Sequence, residues 1–180
     1  MLSERQSDFR PNHSCISALI NVSEELRLGA DNNMTSFLVL LDHSKAFDTV
    51  NHIILCQKLK YMRHFSTTVV MLISSNLRDR SQFVCHYGNK SNNFLISRGL
   101  PQGLILGPLL YSIYFNDLPI KLKFCNAQMY ADDVQLFISF LSSDITNCIE
   151  KINCHLHNVF QWASINGLCL NPWKSKALKK

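Results

Sequence analysis

Two hydrophobic rhythms alternate along this chain, one of period 3.6 and one of period 2. Apolar positions at helical spacing, with Ile16, Leu19, Ile20 and Leu26 on one face, predict a helix over about 13–28. A polar turn at 31–35 follows, and then Ser36-Phe37-Leu38-Val39-Leu40-Leu41, a nearly continuous apolar run that reads as a buried strand. Helices are predicted near 50–62 and 66–77, and a hairpin near 82–87 and 93–98 around Gly88-Asn89. A helix over about 104–117 precedes two apolar runs, Phe124 to Met129 and Val134 to Phe140, separated by a short polar stretch. Those runs predict a second hairpin over 125–139. Cys148, Ile149, Ile152, Leu156, Val159 and Phe160 recur at helical spacing within an amphipathic helix over about 143–164. Gly167 marks a break before a short terminal strand. This order implies an α+β fold in which helices back an antiparallel sheet on one face.

The polar stretch inside the second hairpin is Tyr130-Ala131-Asp132-Asp133. Adjacent carboxylates repel and stay ionised together only with a cation beside them. Their hard oxygens suit Mg²⁺ or Mn²⁺. Phosphoryl transfer on such ions draws acids from more than one element. Asp42, at the C-terminal end of the 36–41 strand, is the candidate partner, although a lone strand-end Asp also serves as an ordinary cap or turn residue. Between them lies Arg98-Gly99-Leu100-Pro101-Gln102-Gly103, then Leu106-Gly107-Pro108-Leu109-Leu110. Its glycines permit close backbone approach, and Gln102 offers both a donor and an acceptor.

Together these segments resemble the reverse transcriptase domain of non-LTR retrotransposons. Asp42-His43-Ser44-Lys45-Ala46-Phe47-Asp48-Thr49-Val50-Asn51-His52 resembles that family's first palm motif. The Gly99–Gly103 and Leu106–Leu110 segments, continued by Tyr114-Phe115-Asn116-Asp117-Leu118-Pro119, resemble its second. Tyr130–Asp133 resembles its third, and Asn166-Gly167-Leu168 with Leu170-Asn171-Pro172 and Lys174–Lys176 its fourth. Phe9-Arg10-Pro11 with Ser14 resembles the fingers segment ahead of the palm. Five motifs in order cover nearly the whole chain.

The resemblance implies an RNA-directed DNA polymerase working on two Mg²⁺ ions, with Mn²⁺ as a substitute. Its partners would be an RNA template, a DNA primer and deoxynucleoside triphosphates. Asp42 and Asp132 would bridge the ions, Asp133 would assist, and the backbone carbonyl of His43 would help one of them. Phe47 would crowd the sugar 2′ side of the incoming nucleotide, unless it is simply a core ring. Gln102 would contact that nucleotide or the template, and Arg10 its triphosphate. Lys174, or alternatively Lys176, would neutralise or protonate the leaving pyrophosphate. The implied fold is a polymerase palm over about 36–59 and 99–180, with partial fingers over about 1–35 and 60–98 and no thumb. A catalytically inactive retrotransposon remnant that binds nucleic acid weakly is the alternative. Asp8, His43, Leu104 and Trp173 depart from the residues usual in the family at those places.

Composition narrows the setting. With 47% hydrophobic residues in 180, the chain can build a core, and a net charge of +5 is compatible with a polyanionic partner. Seven scattered cysteines without a CxxC, and no signal peptide, predict reduced thiols in a cytoplasmic or nuclear setting. No apolar run approaches membrane-spanning length.

Overall fold

The computed structural model describes residues 2–62, 64–101, 103, 105–122 and 125–180. Gln102, Leu104 and Phe124 lie outside the described residues. The centre is a four-stranded antiparallel sheet of β1 (Thr35–Leu41), β6 (Asn126–Tyr130), β7 (Asp133–Phe140) and β8 (Lys176–Lys179), in the order β6-β7-β1-β8. Strand alternation sorts its residues. One face carries Val39 and Leu41 beside Val134, Leu136, Ala127 and Met129, all part of the main core. Helix α5 (Leu106–Phe115) supplies that core's aromatic centre and, being apolar nearly all round, is buried from Leu110 to Phe115. α6 (Ile145–Ile165) adds Val159, Trp162 and Ala163.

The opposite face is covered by α1 (Cys15–Asp31), so helices flank the sheet on both faces and not on the one expected, and here the expected helix face is overturned as well. α1 buries Ala18, Val22 and Gly29, while Ile16, Leu19 and Ile20 are about 60% exposed. The cause is close approach. Ser36 and Ser139, paired across β1 and β7 with their hydroxyls 2.8 Å apart, meet the helix directly. A Cβ on Gly29 would stand 2.5 Å from Ser139 Oγ and 2.9 Å from Ser36 Oγ, so only a small-residue stripe fits. In α6, likewise, Ile149 and Phe160 are exposed, and His155 joins Cys148 and Val159 in the buried stripe.

The first motif folds as a short helix α2 (Ala46–Thr49) followed by α3 (His52–Tyr61). The division falls at Asn51, whose side chain accepts from the amides of Ile53 and Ile54 and caps α3. α4 (Thr67–Leu77) packs on α3. The hairpin expected around Gly88-Asn89 forms as two short ladders, β2 (Ser81–Gln82) with β5 (Phe94–Leu95), and β3 (Cys85–His86) with β4 (Asn89–Lys90). Lys58 crosses from α3 to ion-pair with Asp117 at 2.8 Å, and Trp162 Nε1 donates to the same carboxylate oxygen. No helix among the described residues is long and apolar enough to cross a membrane.

Candidate active site

Sheet register brings the acids together. The β1–β7 ladder closes at Leu41↔Val134, so one step further sets Asp42 across from Asp133. The β6–β7 hairpin closes at Tyr130↔Asp133, leaving Ala131-Asp132 as its two-residue turn. Asp132 thus stands in the turn, and Asp133 is the first residue of the returning strand. Ala131 adopts φ 52°, a conformation that costs a non-glycine residue about 1–2 kcal/mol and that the tight turn demands.

Asp42 is held from three sides by the fourth motif. Its carbonyl accepts from Asn171 N at 2.8 Å, its amide donates to Ser175 Oγ at 3.4 Å, and Lys174 Nζ lies 3.6 Å from its Oδ1. Lys176, the other candidate lysine, lies in β8 opposite Leu40. His43 is buried and ties the two acid-bearing elements together. Its Nδ1 donates to the Asp132 carbonyl at 3.1 Å, and its ring stands edge-on to Phe115. Burial pushes its pKa down, against the opposing pull of that carbonyl and of Asp132 and Asp42.

The electrostatics report the same convergence. Burial raises the Asp133 pKa, the charges of Asp132 and Asp42 raise it further, and Lys174 opposes them. Burial also pushes the Tyr111 phenol far up, and Asp132, Asp133, Tyr114 and Asp42 add to it. A metal would suit this donor set: Asp42 Oδ2 is buried and has no hydrogen-bond partner among the described residues. As placed, however, no three His, Cys, Asp or Glu side chains among the described residues stand close enough to hold an ion.

Around the acids the structure separates the other expected residues. Phe47 is half-buried and stacks on Tyr111 with centroids 4.2 Å apart, and Tyr111 rests in turn on Phe115. The Gly99 loop is bonded onto the first motif: Gly99 N donates to the Val50 carbonyl and Leu100 N to that of Phe47, each at 2.8 Å. The ring of His52 donates through Nε2 to the Gly99 carbonyl at 2.7 Å. Gly99 has φ 90°, and a Cβ there would meet the Asp48 carbonyl oxygen at 2.8 Å, so the residue type follows from both conformation and space. Arg10 is engaged in its own loop, donating from Nη1 to the carbonyls of Ser3 and Gln6. A groove of about 950 Å³ between α3, α4 and residues 96–97 is lined by His52, Lys60 and Arg78, and none of the acids borders it.

Some positioning groups carried no pattern in the sequence. Gln6 is buried, bridges Met129 in parallel, and donates from Nε2 to the Ala131 carbonyl at the hairpin turn, 3.5 Å away. Tyr111 and the ring of His43 are the others. Each is one aromatic or amide group whose role depends on which distant element it meets.

Over residues 1–180 the chain matches the reverse transcriptase (RNA-dependent DNA polymerase) family. The chain belongs to that family. This reverse transcriptase domain is 34% identical over 176 residues to a probable RNA-directed DNA polymerase from transposon X-element of Drosophila melanogaster, covering 96% of this chain and 19% of that protein. It is 30% identical over 176 residues to the RNA-directed DNA polymerase from mobile element jockey of the same species, covering 94% and 19%. Its kinship is therefore with the reverse transcriptases of non-LTR retrotransposons, as the motifs implied. The chain spans about a fifth of the length of these curated relatives. Its fold resembles that of the Candida tropicalis telomerase solved with the TWJ fragment of telomeric RNA. The TM-score is 0.71 at 12% identity, covering 97% of this chain and 30% of that one. The α+β palm architecture expected from the motifs is the one observed.

Proposed function

We propose that this chain performs RNA-directed DNA synthesis, adding deoxynucleotides to the 3′ end of a DNA primer on an RNA template. The observation that carries the reading is the register that sets Asp42 across from Asp133, beside the hairpin turn that carries Asp132. Asp42 and Asp132 would hold two Mg²⁺ ions, or Mn²⁺, with Asp133 and the His43 carbonyl assisting. Ions so held would supply activation of the primer hydroxyl and neutralisation of the charge that develops on the phosphates.

This chain's own residues would do the positioning. Asp42 is fixed by Asn171 and Ser175, and the Asp132 carbonyl by His43, so the two elements approach the reacting phosphate from different sides. Lys174, whose Nζ lies 3.6 Å from Asp42 Oδ1, would shift its ammonium onto the leaving pyrophosphate and donate a proton there. Phe47, backed by Tyr111, would close the space a sugar 2′-hydroxyl needs and so favour deoxynucleotides. Gln102 would face the nucleotide or template. Arg10 would meet the triphosphate after leaving the Ser3 and Gln6 carbonyls. Residues of about 1–35 and 60–98 would act as fingers, and those of about 36–59 and 99–180 as palm.

Primer extension on an RNA template with Mg²⁺ tests the reading. Asp132→Asn should lower the rate on the order of 10³-fold. Extension by the wild type no faster than by this variant rejects independent catalysis, and leaves the reading of an inactive remnant that binds nucleic acid.

A further inference from the structure

The terminal segment carries, beside Lys174, an exposed indole that the chemistry above does not use. Trp173 is 92% exposed, whereas the chain's other tryptophan, Trp162, is 3% exposed. Its mount is rigid. Trp173 N donates to Asn171 Oδ1 at 3.1 Å, and Ser175 donates from both N and Oγ to the Asn171 carbonyl. Asn171 and Ser175 are the residues bonded to Asp42, so the indole stands on the same turn that fixes the strand-end acid. Beyond the turn, β8 runs along the outer edge of the sheet. Its register, Leu40↔Lys176 and Leu38↔Leu178, continues to the Ser36–Lys180 backbone pair. Alternation therefore places Lys176, Leu178 and Lys180 on one side of the edge, with Lys174 at Asp42 in the turn before them, and all four are exposed.

We propose that Trp173 and the lysine row behind it form a docking rail for a single nucleic-acid strand whose end is presented to the acids. The inference rests on the reading of those acids as a nucleotidyl-transfer centre. An exposed indole offers a π-face on which any base can stack, and ammonium groups along an edge strand can meet phosphates of the same strand. That pairing of an aromatic platform with a cationic track is the chemistry of sequence-tolerant single-strand binding. The competing account of edge lysines is that they block strand-to-strand aggregation. It leaves the indole without a purpose and predicts no response to a polynucleotide.

Intrinsic fluorescence separates these accounts, because one of the two indoles is exposed and the other buried. The full chain is titrated at low salt with an oligodeoxythymidylate and with an oligouridylate, and in a parallel arm with dTTP alone. The rail predicts quenching of the exposed indole by both oligonucleotides. The variants are read by fluorescence anisotropy of dye-labelled oligonucleotides, which does not need the indole: Trp173→Ala should weaken binding about tenfold while leaving the salt slope unchanged. Trp173→Phe should restore most of that affinity. Lys176→Ala should lower the slope of log K against log salt by about 1. Quenching by dTTP at the oligonucleotide's molar affinity would place a free nucleotide, not a strand, on the indole and overturn the rail. So would equal oligonucleotide affinity for wild type and Trp173→Ala, or no binding at low salt. Each variant's circular dichroism confirms folding. Because binding is read without turnover, a failed rail and a failed polymerase reading give different results: the first changes quenching and the second only primer extension.

Discussion

At the residue scale, the candidate site is a charge problem that the fold leaves partly unrelieved. Asp133 is the most informative acid, because burial and its two acidic neighbours all disfavour its charge. An acid whose pKa is raised on folding binds its proton more tightly in the folded state. Its ionisation therefore opposes folding above the folded pKa, and the opposition is relieved as pH falls through that value. Asp133→Asn should accordingly raise the melting temperature of the metal-free chain at neutral pH, by about 1–3 °C, while lowering Mg²⁺ affinity. Calorimetry with and without EDTA measures both. A second prediction concerns the rings. Tyr111 supports the face of Phe47, so Tyr111→Ala should let that ring shift and reduce the preference for deoxy- over ribonucleotides by roughly tenfold. Tyr111→Phe keeps the stack and should leave the preference unchanged. Competitive incorporation assays give both ratios. Asp42, Asp132 and Asp133 were legible because charge interrupts an apolar run conspicuously. The tasks of Tyr111, Gln6 and the His43 ring were not, because a single aromatic or amide acquires its task only when a remote segment arrives beside it.

At the element scale, periodicity showed which segments are helices and strands, and their order showed the architecture. It failed on which helix face is buried. In α1 the bulkiest apolar residues looked like the core side, yet the sheet surface beneath is built from Ser36 and Ser139 at close range, and Gly29 is what fits. Hydrophobic size predicts burial only where the opposing surface has room for it. The Gly99 loop shows the same dependence on a partner. Its backbone bonds to Val50 and Phe47 hold the second motif against the first. Gly99→Ala would put a methyl against the Asp48 carbonyl at a positive φ and should destabilise the chain by about 1–3 kcal/mol. A lower urea midpoint at unchanged slope would register it.

At the scale of the whole molecule, three stretches far apart in sequence build one site: the end of β1, the β6–β7 turn, and the turn that carries Lys174. The end of β1 is joined to both of the others through the main chain, by the ladder to β7 and by the Asn171 amide on the Asp42 carbonyl. The central claim is that the strand-end acid and the hairpin acids serve one shared ion site. Mn²⁺ titration followed by electron paramagnetic resonance tests it directly, on the wild type, Asp42→Asn, Asp132→Asn and the double variant. The account predicts bound Mn²⁺ in the wild type, a loss of affinity of at least tenfold in either single variant, and little further loss in the double. Losses that simply add, or a single variant that binds as the wild type does, would contradict it.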